Sequence, residues 1–106
     1  MKINDFKSVI SDFLVKMINQ WFEDKPFMKG IGISLIKANT NKYDNLIKLF
    51  EDENGNIDAI GMIKNMGLED GIKIDLQKLS PILPNRIVLI TKEDINELCQ
   101  QISFSQ

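Results

Sequence analysis

With 106 residues, 43% of them hydrophobic and 26% charged, the chain has room for one domain and one core, and its composition suggests neither disorder nor a fibrous repeat. It has no histidine and a single cysteine, Cys99, which excludes imidazole acid–base catalysis, the usual zinc sites and an internal disulfide. The net charge of −2 is near balance but divided: residues 1–50 carry eight lysines against five acids, and residues 51–106 five bases against ten acids, so the halves can attract each other within a chain or between chains.

Ile3, Phe6, Val9, Ile10, Phe13, Leu14, Met17, Ile18, Trp21 and Phe22 recur at steps of three and four, with polar residues between them. This spacing predicts an amphipathic helix, capped by Asn4 or Asp5 and running to about Asp24, where Lys25-Pro26 stops it. A stripe this wide must be covered by the rest of the chain or by a second copy. Ile3, Phe6, Ile10, Phe13 and Met17 fit a heptad, but Gln20 breaks it, so the expectation is packing within the chain plus a partly shared surface. Phe13, Met17, Trp21 and Phe22 are the candidate interface residues, with Trp21 and Phe22 as the expected hot spot. The opening MKINDFKSVI has no unbroken apolar run and is read as neither signal nor transit peptide. No apolar stretch approaches the roughly 20 residues a membrane span needs, so a cytoplasmic location away from membrane is expected.

Residues 27–38 fit either a strand, through Ile31, Ile33 and Leu35, or a helix, through Met28, Ile31, Leu35 and Ala38; Pro26 tips the reading to a helix whose glycines allow close approach to the first one. Gly30-Ile31-Gly32 lacks the preceding strand and third glycine of a dinucleotide loop. Thr40 or Asn41 is expected to cap a short helix through Phe50, with Tyr43, Leu46, Ile47 and Phe50 on its apolar face. Five lysines and one acid lie between Lys25 and Lys48; a solvated face accounts for them, with a phosphate-contacting patch as the alternative.

In Glu51-Asp52-Glu53-Asn54-Gly55-Asn56-Ile57-Asp58, Gly55 stands at a sharp turn with Asp52 and Asn54 before it and Ile57 and Asp58 after it. The stretch resembles the calcium loop of the EF-hand family, and the resemblance implies a cation held by Asp52, Asn54, Asn56 and Asp58. In the register set by Gly55, however, Phe50 occupies the first carboxylate position and Gly61 that of the bidentate glutamate; starting instead at Asp52 puts Ile57 at the glycine position. The competing reading is an Asn-Gly turn between helices, with no cofactor.

Ile57 to Met66 is read as another short helix, packing through Ile60, Met62, Ile63 and Met66 and ended by Gly67. Residues 71–76 alternate and residues 86–90 are a β-branched run, which predicts an antiparallel pair of strands. Their connection, residues 77–85, is expected to pack Leu79, Ile82 and Leu83 on the core. Thr91 with Asp94 forms a capping-box pattern opening a last helix, whose stripe is Ile95, Leu98, Cys99 and Ile102; residues 103–106 are expected to fray. The whole is a single α+β domain, mostly helical, with four to five helices and one small antiparallel two-stranded sheet: a helical part over 1–67 and a strand-strand-helix part over 71–102.

No nucleophile–base pair, carboxylate pair or metal cluster stands out, so catalysis is not expected and no small-molecule substrate is inferred. Several helices before a two-stranded ribbon and a last helix also match a winged helix, whose reading helix would offer only Lys64 and Asn65 ahead of Glu69 and Asp70. The favoured expectation is a non-catalytic interaction or assembly module that binds itself or another protein. The size and lysine-, isoleucine- and asparagine-rich composition suit an accessory protein of a prophage or similar element.

Overall fold

A computed structural model describes residues 1–39 and 44–105. The chain runs α1 (Ile3–Trp21), α2 (Pro26–Asn39), α3 (Asp44–Lys48), α4 (Ala59–Asn65), β1 (Ile72–Asp75), α5 (Leu76–Leu79), β2 (Ile87–Ile90) and α6 (Lys92–Phe104). This is the expected mostly helical α+β fold with an antiparallel two-stranded sheet near the C-terminus. The single turn of α5 is an addition, opened by Asp75, whose Oδ1 accepts the Gln77 N–H.

Both expected limits of α1 shift because distant residues take over its ends. The N-cap is Lys2, not Asn4 or Asp5, and Lys2 has no side-chain cap bond. Met1 and Lys2 instead pair with Ile57 and Asn56 in a short antiparallel contact, and the helix starts directly after it. At the other end the helix stops at Trp21 rather than near Asp24. Arg86 Nη1 donates to the Trp21 carbonyl at 2.6 Å and satisfies a terminal acceptor. Phe22, only 1% exposed, turns into the core. Arg86 also supplies the positive charge that Glu23 and Asp24 withhold from this end of the helix dipole.

Two apolar clusters meet along α1. Phe6 and Met17 join Ile57, Ala59, Ile63, Ile90, Ile95, Leu98 and Ile102, while Ile18 and Phe22 join Leu76, Leu83 and Val88. Met17 and Ile18 enter different clusters because successive residues point about 100° apart around a helix. Strand β2 also feeds both clusters: Val88 and Ile90 share its buried face but stand about 7 Å apart along the strand, so Val88 reaches one cluster and Ile90 the other. Trp21 and Ile74 pack against both.

Helix α2 is a helix, as Pro26 suggested, and lies along α1. Close approach needs only one of its glycines: a Cβ on Gly32 would stand 3.1 Å from Ile18, whereas one on Gly30 would meet nothing within 4 Å. The residues Thr40, Asn41 and Tyr43 and the Leu46 side chain, expected to cap and line α3, lie outside the described residues. Helix α3 ends at Lys48, leaving Phe50 exposed in a turn while Ile47 packs on the first cluster. Helix α4 starts two residues later than expected, at Ala59. Ile57 is instead bridged to Glu51 and bonded to Met1, and Asp58 caps the helix by accepting the Gly61 N–H. Met66 thus falls at the C-cap and is exposed, and Gly67 follows at φ +70°, the left-handed position expected of it. Of the three residues expected to pack from the connection between the strands, only Leu83 is buried; Leu79 and Ile82 are exposed.

Candidate functional site

The sheet and the end of α1 form one assembly. The strands pair Ile72 with Ile90, Lys73 with Leu89, Ile74 with Val88 and Asp75 with Ile87. The Leu76 N–H donates to the Arg86 carbonyl at 3.1 Å, which sets the alternation: residues 72, 74 and 76 exchange main-chain bonds with β2, and residues 73 and 75 turn their N–H and C=O groups away from it. Leu89 likewise turns its carbonyl outward, where Trp21 Nε1 donates to it at 3.2 Å. The indole therefore closes part of the outer edge of β2.

Alternation also separates the side chains. Val88 and Ile90 are buried, while Ile87 and Leu89 are 66% and 51% exposed on the opposite face. Their cross-strand neighbours on that face are Asp75 and Lys73, so it carries an aliphatic row beside a charged one. With Leu79 and Ile82 exposed in the connection, the sheet is where large aliphatic side chains most often meet solvent.

The four candidate interface residues of α1 separate. Met17 and Phe22, at 0% and 1% exposure, are covered by the chain itself and offer no surface to a partner. Trp21 is half-buried beside Leu89. Phe13 lies with Val9 and Leu98 in a groove of about 540 Å³ between α1 and α6, rimmed by Asp5, Asp12, Lys16 and Glu97. Lys16 and Glu97 form an ion pair across it. The opposite charges of the two halves thus meet within the chain here, as they do at Lys2 in the acidic loop.

In that loop Asp52 Oδ1 accepts the N–H groups of Asn54 at 2.8 Å and Asn56 at 2.9 Å. Those two bonds, the Asn56 one foremost, hold the Asp52 carboxyl below its usual pKa, with smaller contributions from Lys2 and the N-terminal ammonium. Lys2 Nζ donates to the Asn54 carbonyl at 2.6 Å, and the Met1 ammonium to the Ile57 carbonyl at 3.3 Å. Gly55 takes φ +76°, as the Asn-Gly turn requires. Of the four residues the calcium-loop resemblance implied, Asp52 thus folds back on the loop's own main chain and Asp58 caps α4. Among the described residues no three His, Cys, Asp or Glu side chains are grouped as a metal site.

Lys64 and Asn65 are exposed at the C-terminal end of the seven-residue α4, with exposed Glu69 and Asp70 beyond. Lys25, Lys37 and Lys48 are exposed, and Lys42 lies outside the described residues. Cys99 is half-buried against the first cluster. Arg86 is the residue the sequence did not single out; being the lone arginine was its only signal. Among the described residues no helix is long and apolar enough to cross a membrane. Comparison with family models, with curated proteins and with solved structures finds no match.

Proposed function

We propose that the chain is a non-catalytic interaction or assembly module whose contact surface is the outward face of the sheet. One observation carries the reading: β2 turns Ile87 and Leu89 to solvent although its other two residues are buried. A two-stranded sheet is marginal by itself and gains from a further covering. Exposed aliphatic side chains in a row are the material of an interface core, and Trp21 borders them as an amphipathic aromatic. The sheet remains for contact where the rest of the apolar stripe of α1 does not, since that stripe is largely consumed by the chain's own core.

Trp21 is a poor probe because it packs on both clusters. Ile87 is a better one. A photoreactive phenylalanine derivative at Ile87, expressed in the cell that encodes the protein, should form protein adducts on irradiation, and the same group at exposed Gln100 on α6 should not. Adducts from position 87 no more abundant than those from position 100 would overturn the assignment.

A further inference from the structure

The outer edge of β1 is open. Lys73 and Asp75 direct their N–H and C=O groups away from β2, and no other strand joins the sheet among the described residues. The Asp75 carbonyl opens α5, while the Asp75 N–H and both main-chain groups of Lys73 have no main-chain partner among those residues. An open edge is a template for a further strand. Its charges say which strand fits. Lys73 and Asp75 stand two residues apart on one face, flanking Ile74.

We propose that this edge pairs with β1 of a second copy, antiparallel, about a two-fold axis at Ile74. Lys73 then lies opposite Asp75 of the partner subunit, and Asp75 opposite Lys73 of the partner subunit. Both are residues whose main-chain groups point outward, and with the Asp75 carbonyl given to α5 each pair makes one N–H···O bond, from the Asp75 N–H to the facing Lys73 carbonyl, two in all. The two-fold makes the charge pattern its own complement. Neighbouring registers fail: an axis at residue 73 sets lysine against lysine, and one at residue 75 sets acid against acid. The lysine that would otherwise guard the edge against pairing is neutralised in one register alone. Asp75 keeps Oδ2 for this contact, since Oδ1 is held by the Gln77 N–H.

The result is a four-stranded sheet running across the dimer, with an Ile87–Leu89 row on each outer strand of one face. The proposal rests on the reading of the sheet as the contact surface and names a second copy of this chain as the partner at its edge. A four-residue edge buries little area, so the dimer is weak, with a Kd on the order of 100 µM.

Light scattering across a concentration series decides it. The mass should rise from 12.1 kDa toward twice that value. Lys73→Asp leaves two acids on the edge and Asp75→Lys leaves two lysines; each should weaken the dimer at least ~10-fold. The double variant restores a self-complementary edge and should dimerise again, and a mixture of the two single variants should pair with each other. The mixture guards against a fold defect from losing the Asp75 cap, because a misfolded variant would not pair. A wild-type chain that stays at 12.1 kDa throughout overturns the pairing. Single reversals without effect, or no recovery in either the double variant or the mixture, overturn the register. Adducts from position 87 on a strictly monomeric chain would leave the reading of the β2 face standing while removing this one.

Discussion

Replacing the two glycines of α2 by alanine, one at a time, separates helix propensity from packing. At exposed Gly30 the new methyl meets nothing within 4 Å, so Gly30→Ala should show the propensity gain alone, about 1 kcal/mol. At Gly32 the same gain is opposed by contact: the Cβ would stand 3.1 Å from both Cδ1 and Cγ2 of Ile18, a side chain 6% exposed and enclosed in the second cluster. Overpacking of this kind costs about 1–3 kcal/mol, so Gly32→Ala should be neutral to destabilising by about 2 kcal/mol. With roughly 2.1 cal/mol/K of unfolding entropy per residue, 1 kcal/mol corresponds to about 4–5 °C in Tm for a chain of this length. Urea denaturation of both variants is the assay. Ile18→Val deletes Cδ1, one of the two atoms in the way, so Gly32→Ala should cost less in the Ile18→Val background than in the wild type. A Gly32→Ala midpoint raised as far as that of Gly30→Ala would refute the close approach of α2 to α1.

Thr91→Ala removes the hydroxyl that accepts the Asp94 N–H and breaks the reciprocal bond pattern at the start of α6; it should lower stability by about 1 kcal/mol, read from the denaturation midpoint. Asp52 is more acidic folded than unfolded, so its contribution is present above the ordinary carboxylate range and is lost as pH falls through the folded value. Asp52→Asn should therefore lower Tm at neutral pH, and the gap to the wild type should close below about pH 4; a gap constant from pH 7 to pH 2 would contradict the assignment.

What was legible in the sequence is what nearby residues decide. Pro26 at the first turn of α2, the Thr91–Asp94 box and Gly67 after α4 each act within a few positions, and each stands where its local chemistry puts it. The alternation of residues 71–76 and the β-branched run at 86–90 likewise found the strands, each slightly longer than the Ile72–Asp75 and Ile87–Ile90 that pair. What stayed hidden depends on partners far along the chain. Arg86 ends α1 from 65 residues away, and Lys2 reaches a carbonyl 52 residues on. Periodicity marked the apolar face of α1 but not its cover, and so placed Met17 and Phe22 with a partner when the chain itself encloses them. In the connection between the strands, Leu79, Ile82 and Leu83 are alike in hydrophobicity. Only the path of the backbone between α5 and β2 selects Leu83 for burial.

The division of the core at Met17 and Ile18 bears on how the molecule breathes. Helices α4 and α6 and the 57–58 segment lean on one cluster, α2, α5 and the 80–85 segment on the other, and α1 with β2 forms the party wall. Helix α2 contributes Met28, Ile33 and Ile36 only as partly buried neighbours, so its side of the wall holds less enclosed apolar matter than the side of α6. Sub-global opening follows that imbalance. The side of α2 and α5 is therefore expected to open before α4 and α6 part from α1, so that in hydrogen exchange the main-chain amides facing the larger cluster should be the last to trade their protons with water.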